Sequence, residues 1–246
     1  MKYSEYQEKE SERKRIAIAH LENGVDFADI SSVYIDETVQ IGAGTFIGPC
    51  VTLEGDTVIG ANAKIYQNTR IRDSVIGDGV EIQSSVVLES SIGEESRIGP
   101  FAYVRPGSEI GRNCKIGDFV EVKNSTFGDG SKSAHLTYIG DSDIGEDVNL
   151  GCGVVFVNYD GTHKFRSTIG DGVFIGCNSN IISPVRIDDG AYVAAGSTIT
   201  QDIPEDALGV ARAKQKNIEG WATRRGLYNK KKKQLQKTEV HGGEEQ

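Results

Sequence analysis

Aromatic side chains are scarce in this chain, at 7% of 246 residues with a single Trp, so a core of packed rings is excluded. Proline occurs only 5 times and methionine once. No segment approaches the roughly 18 consecutive apolar residues that a membrane helix requires. The opening stretch MKYSEYQEKESERKR lacks the apolar centre of a secretory leader. The expectation is a cytoplasmic protein with no membrane contact. Cys50, Cys114, Cys152 and Cys177 show no C-x-x-C spacing, which argues against a zinc knuckle or redox pair and for reduced, mostly buried thiols. Positive charge is also in deficit, with 27 Lys and Arg against 36 Asp and Glu. It collects at one end: residues 212–246 hold 10 basic and 4 acidic side chains. An acidic body with a basic tail disfavours nucleic acid as the partner.

What the chain has in quantity is glycine, 30 residues, and an aliphatic residue at every sixth position. From Ile35 the series runs Ile41, Ile47, Leu53, Ile59, Ile65 and Ile71 without a break. It resumes after short slips as Ile76, Ile82 and Leu88, then Ile92 to Val122, then Phe127, Ser133 and Ile139, then Ile144, Leu150 and Phe156. A last run follows from Ile169 to Ile199. Of these 28 positions only Ser133 is polar, and in 14 of them Gly comes next. Two residues earlier stands, as a rule, a small or β-branched residue such as Val39, Thr45 or Val51. Period six fits neither a helix nor a plain half-buried strand, but it fits short strands joined by regular corners. Three hexads close an 18-residue triangular coil. Stacking coils at the inter-strand spacing gives about nine coils and a column about 45 Å tall. This is the hexapeptide repeat, and its resemblance implies an all-β solenoid, a left-handed parallel β-helix. Residues 4–21 lack Gly and Pro and favour helix, with Asn23-Gly24 as the stop. The expected organisation is a helical segment at 1–30, the β-helix at 31–203, and a C-terminal arm with a basic tail at 204–246. HGGEEQ at the end is expected to be disordered.

Interruptions of the repeat mark candidate sites. Between Phe156 and Ile169 the spacing is 13 instead of 6, so residues 158–167, NYDGTHKFRS, must leave the coil as an exposed loop with an Asp-Gly turn. Arg105 and Lys123 replace Gly after Val104 and Val122 and lie 18 residues apart, which makes them stacked neighbours. Two such charges about 5 Å apart repel by about 3 kcal/mol at an effective dielectric near 20. A bound phosphate would relieve that, and so would carboxylates such as Glu121. His135, in SKSAHLTYIG with Tyr138, is the one histidine inside the coils. It is a candidate base or a plain surface residue. Three zinc-binding histidines at usable spacing are absent, so no metal site is expected.

The strings FAYVRPGSEIG, IGDFVEVKNS, GSKSAHLTYIGDSDIGEDVNLG, VNYDGTHKF, FIGCNSN and YVAAGSTIT give the chain, from Leu21 to Trp221, a close resemblance to the C-terminal acetyltransferase domain of the bacterial bifunctional enzymes that make UDP-N-acetylglucosamine. The resemblance implies an acyltransferase that moves acetyl from acetyl-CoA to the amine of glucosamine 1-phosphate, supplying cell-wall precursor synthesis, with no metal needed for that step. Residue by residue it implies His135 as general base, and Arg105, Lys123, Tyr138, Asn149 and Lys164 as sugar-phosphate contacts. Asn158 and Tyr159 fall beside the acetyl group, and Cys177, Ala195 and Arg212 toward coenzyme A, with Cys177 where some members carry Ser. It further implies a homotrimer with sites between subunits, the arm with Trp221, Arg224 and Arg225 reaching a neighbour. The nucleotidyltransferase half, with its Gly-rich loop, is not encoded in residues 1–30, which hold one Gly. Its activity and Mg²⁺ are therefore not inherited, which leaves either a stand-alone acetyltransferase whose product a separately encoded nucleotidyltransferase uses, or a paralogue kept for another role. Acyl transfer to another aminosugar, and a non-catalytic scaffold that binds sugar phosphate, are the alternative readings.

Overall fold

The computed structural model describes residues 2–227. The Lys230 to Lys233 run and HGGEEQ lie outside the described residues. The chain divides into two compact units, Met1–Arg212 and Ala213–Gln246. In the second, a short helix spans Trp221–Arg224, and the Arg225 guanidinium lies 5.7 Å from the Trp221 ring centre.

The first unit is a left-handed parallel β-helix with three walls. Among the described residues the walls contain eleven, ten and nine strands, each paired in parallel with the strands one coil away. The hexad rule explains why. The aliphatic residue of each hexad points inward, and so does the small residue two positions earlier, as strand alternation demands. Ile47, Leu53, Ile65 and Ile71 are fully buried, as are Thr45, Val51, Ala63 and Thr57. Parallel register then places aliphatic over aliphatic: Ile98 over Ile116, Val104 over Val122, Ile110 over Phe127. Each wall is thereby lined with stacked β-branched side chains, which pack on a pleated surface without needing rings.

Three expectations need correction. Val87, not Leu88, is the inward residue of its strand: it is fully buried and pairs with Ile71 and Val104. The corners on either side of it are one residue shorter, so the sixth-position count overshoots by one. The column also has about ten coils, because strands Asp26–Phe27 and Leu208–Gly209 pair with Phe46–Ile47 and Tyr192–Val193. These end coils carry no aliphatic hexad to count, and the ladder extends past residues 31–203 at both ends. Finally, only Cys114 is buried, while Cys50 and Cys177 are exposed and Cys152 is intermediate. Cys114 stands two before Ile116, an inward position, whereas the other three sit on corners.

The N-terminal helix, α1 (Tyr3–Glu22), packs beside the first coil. Ala17 is buried there, and Arg13 donates to the Ile30 and Val33 carbonyls at 3.1 and 2.9 Å. No helix among the described residues is long and apolar enough to cross a membrane.

Ser133 sits inside the column between Ile116 and Leu150, fully buried, and its hydroxyl has no hydrogen-bond partner. It shares its coil with Phe127, and one cross-section has room for a ring only if a neighbour is small. An unpaired buried hydroxyl destabilises by about 1–3 kcal/mol. Ser133→Ala keeps the size and removes that group, so urea unfolding should show a gain of about 1 kcal/mol or more. A loss would mean that the hydroxyl has a partner in solution.

Candidate functional site

The second wall holds the cations. Strands Tyr103–Val104, Glu121–Lys123 and Tyr138–Gly140 lie side by side on it. The register Val104 to Val122 continues to Arg105 beside Lys123, and the Arg105 N–H donates to the Val122 carbonyl at 2.8 Å. The stacked neighbours are thus in place, but each has a carboxylate. Arg105 Nη1 meets Glu121 Oε1 at 2.7 Å, and Lys123 Nζ meets Asp141 Oδ2 at 3.3 Å. The hydrogen bond to Glu121 holds the Arg105 guanidinium above its ordinary value.

Asn158–Arg166 leaves the coil as a small hairpin. Tyr159 and Lys164 form an antiparallel bridge, the Phe165 N–H donates to the Asn158 carbonyl at 2.9 Å, and Asp160 Oδ1 accepts from the Thr162 and His163 N–H groups. Arg166 anchors its return. The guanidinium forms a forked pair with the Asp143 carboxylate and donates to the Asn124 carbonyl at 2.8 Å. That pair is the main reason that the Asp143 carboxyl stays below its ordinary value. So anchored, the hairpin brings Lys164 to Lys123. Contact with the Lys123 ammonium and its charge, together with Arg105, pushes the Lys164 ammonium below its usual range against the pull of Asp141. Three cations therefore face two carboxylates on one patch of wall, and a further anion would complete the balance. Tyr138 and Asn158 border the same patch: a side chain on Gly140 would run into the Tyr138 hydroxyl and come within 2.8 Å of Asn158 Nδ2.

His135 closes strand Lys132–His135 on the first wall, at the corner leading to Tyr138. Its side chain is 57% exposed, so the imidazole is open to a substrate, and Nδ1 lies 3.9 Å from Asp118 Oδ2 one coil below. Gly117 makes that approach feasible, since a Cβ there would collide with the Ala134 carbonyl. Following the register upward from His135, the same edge carries Cys152, Cys177 and Ala195. Arg212 reaches it too, its Cδ 4.0 Å from where a Cβ on Gly196 would stand. The residues expected toward coenzyme A thus form one line that begins at His135.

The structure does not bring Asn149 to the cation patch. It lies on the outer face of the first wall, paired with Lys132 and Phe174. Conversely, reading the sequence missed Asp141, Asn124 and the Asp143–Arg166 anchor. Counting the slip at Phe127 would have found Asp141: that coil is one residue shorter, so Lys123 pairs with Gly140 and Asp141 is the next residue along.

Comparison with known proteins agrees with the repeat and narrows the family. The family model for the GMPPB C-terminal domain matches residues 30–108, and that for the bacterial transferase hexapeptide (six repeats) matches residues 166–201. The bifunctional protein GlmU of Clostridium beijerinckii is 54% identical over 87% of this chain and 47% of its own length. That of Clostridium botulinum strain Langeland is 52% identical over 89% of this chain and 48% of its own. The chain spans about half the length of the curated relatives it matches. Among solved structures, the Francisella novicida UDP-N-acetylglucosamine acyltransferase is 19% identical, covers 83% of this chain and 76% of that one, and superposes with a TM-score of 0.42.

Proposed function

We propose that the chain, which matches about half of the GlmU proteins, transfers acetyl from acetyl-CoA to the amine of glucosamine 1-phosphate in UDP-N-acetylglucosamine synthesis. The observation that carries this reading is the cation patch: Arg105, Lys123 and Lys164 together against Glu121 and Asp141 alone, one corner from an exposed imidazole. Arg supplies a planar fork and Lys a point charge, the usual pair for a phosphoryl group.

With the phosphate held there, the sugar amine is presented to His135. The imidazole takes a proton from the amine as the nitrogen attacks the thioester carbon. The C–N bond forms, the C–S bond breaks, and the same proton returns to the departing thiolate of coenzyme A. Asp118, opposite Nδ1, orients the ring. Holding amine and thioester together makes attack effectively unimolecular, which is worth far more than the acid–base step alone. The edge of Cys177, Ala195 and Arg212 suits an extended donor, Arg212 meeting its phosphates. Tyr159, on the hairpin, stands beside the acetyl group, and no metal takes part.

The active assembly is a homotrimer in the cytoplasm. Phe101, Phe119 and Leu136 form an exposed apolar column on the corner of His135, the two rings stacked at 5.5 Å. A second copy would cover that column and bring its own Asn149 toward the sugar.

The direct test follows free thiol release from acetyl-CoA with a panel of aminosugars, each with and without a 1-phosphate. Release with glucosamine 1-phosphate and little with the others is the expected result. Release with a different amine would reassign the acceptor, and none with any amine would leave a sugar-phosphate scaffold.

A further inference from the structure

Asp141 is 6% exposed, sits in the left-handed region at φ 49° on the corner after Gly140, and accepts from three side chains of the site. Lys123 Nζ lies 3.3 Å from Oδ2, Asn124 Nδ2 lies 2.6 Å from Oδ1, and Asn158 Nδ2 makes a short contact with Oδ2. Burial, the largest single influence, pushes its carboxyl upward, but the donors Asn124 and Asn158 and the charge of Lys123 together hold it below its ordinary value. It is therefore an ionised carboxylate, and a carboxylate can only accept.

That one-way character settles the orientation of an amide. Asn158 has an acceptor oxygen and a donor NH₂, and only the NH₂ can face Asp141. Its Oδ1 is left free to accept. The reacting group of the proposed substrate is an amine, a donor, so an acceptor beside it aligns the nitrogen lone pair away from Asn158. Resting on the acetyltransferase reading, we propose that Asp141 is a positioning residue: it turns Asn158 so that its carbonyl oxygen receives an N–H of the sugar amine, while its charge competes with the phosphate for the Lys123 ammonium.

Asp141→Asn is the test, because the substituted amide can present either an oxygen or an NH₂ and Asn158 is then free to turn over. Two readouts are taken on the purified protein: kcat with glucosamine 1-phosphate, and the affinity for inorganic phosphate by titration calorimetry. The expected result is a split. The kcat falls about 10- to 100-fold, the range of one lost alignment contact, while phosphate binds at least about threefold tighter, since the carboxylate that competed for Lys123 is gone. A structural role alone would weaken both together, and that outcome, or a kcat within about threefold of the parent, overturns the proposal. If the variant does not fold, Asn158→Ala leaves Asp141 in place and should lower kcat to a similar extent with phosphate affinity unchanged. An unchanged kcat there overturns it equally. If the parent protein shows no acetyl transfer, the acetyltransferase reading fails first. The phosphate arm then decides on Asp141 by itself, tighter binding in Asp141→Asn supporting the charge competition at Lys123 and no tightening refuting it.

Discussion

Alanine in place of His135 lowers kcat for acetyl transfer to glucosamine 1-phosphate by about 10²- to 10⁴-fold, the usual yield of a positioned acid–base group, without changing the melting temperature. The second half of that expectation follows from the structure. The imidazole is 57% exposed, and its nearest side-chain charge is Asp118 at 3.9 Å, so truncation opens no cavity and leaves no buried partner unpaired. Loss of activity with an intact fold separates a chemical role from a structural one. Residual activity within about tenfold of the parent would mean that proton removal is done elsewhere and that His135 is the plain surface residue its position also allows.

Lys123→Ala is expected to discriminate between substrates. A hydrogen bond to a charged group contributes about 1.5–3 kcal/mol, and each 1.4 kcal/mol is a factor of about ten, so kcat/KM for glucosamine 1-phosphate should fall about 10- to 100-fold. Glucosamine without the phosphate should lose no more than about threefold. The pairing with Asp141 enlarges the contrast: without Lys123 the Asp141 carboxylate, 3.3 Å away in the parent, is left to repel the incoming phosphate. Steady-state thiol release with both sugars measures it. Equal losses on the two would count against a phosphate contact at Lys123, whatever the total activity.

The fold was largely legible before any coordinates because its determinant is local. An aliphatic residue and a small one two positions earlier specify an inward-facing strand wherever only one aliphatic residue is in reach of the pattern. The error at Leu88 is instructive in that respect. Val86, Val87 and Leu88 are all apolar, so the pattern alone cannot tell which faces in, and only the register with Ile71 and Val104 decides. The site was legible in part for the opposite reason. Arg105 beside Lys123, and Glu121 two residues before Lys123 on the same strand, follow from unbroken counting, whereas Asp141 does not, because it lies beyond a slipped corner. The excursion at residues 158–167 was visible as a gap in the count. Its destination was not, since the Asp143–Arg166 fork that steers Lys164 to Lys123 joins residues 23 apart across an irregular segment. Asn149 shows where one chain runs out. On the outer face of the first wall, it can serve the patch on the second only from another copy.

A crystal structure with glucosamine 1-phosphate bound tests the central claim most directly. The expected result is a phosphoryl group within hydrogen-bond distance, about 2.7–3.2 Å, of Arg105, Lys123 and Lys164, with the sugar amine turned toward a His135 imidazole. A phosphate seated on another wall, or one that leaves the Arg105–Glu121 and Lys123–Asp141 pairs untouched, would contradict it.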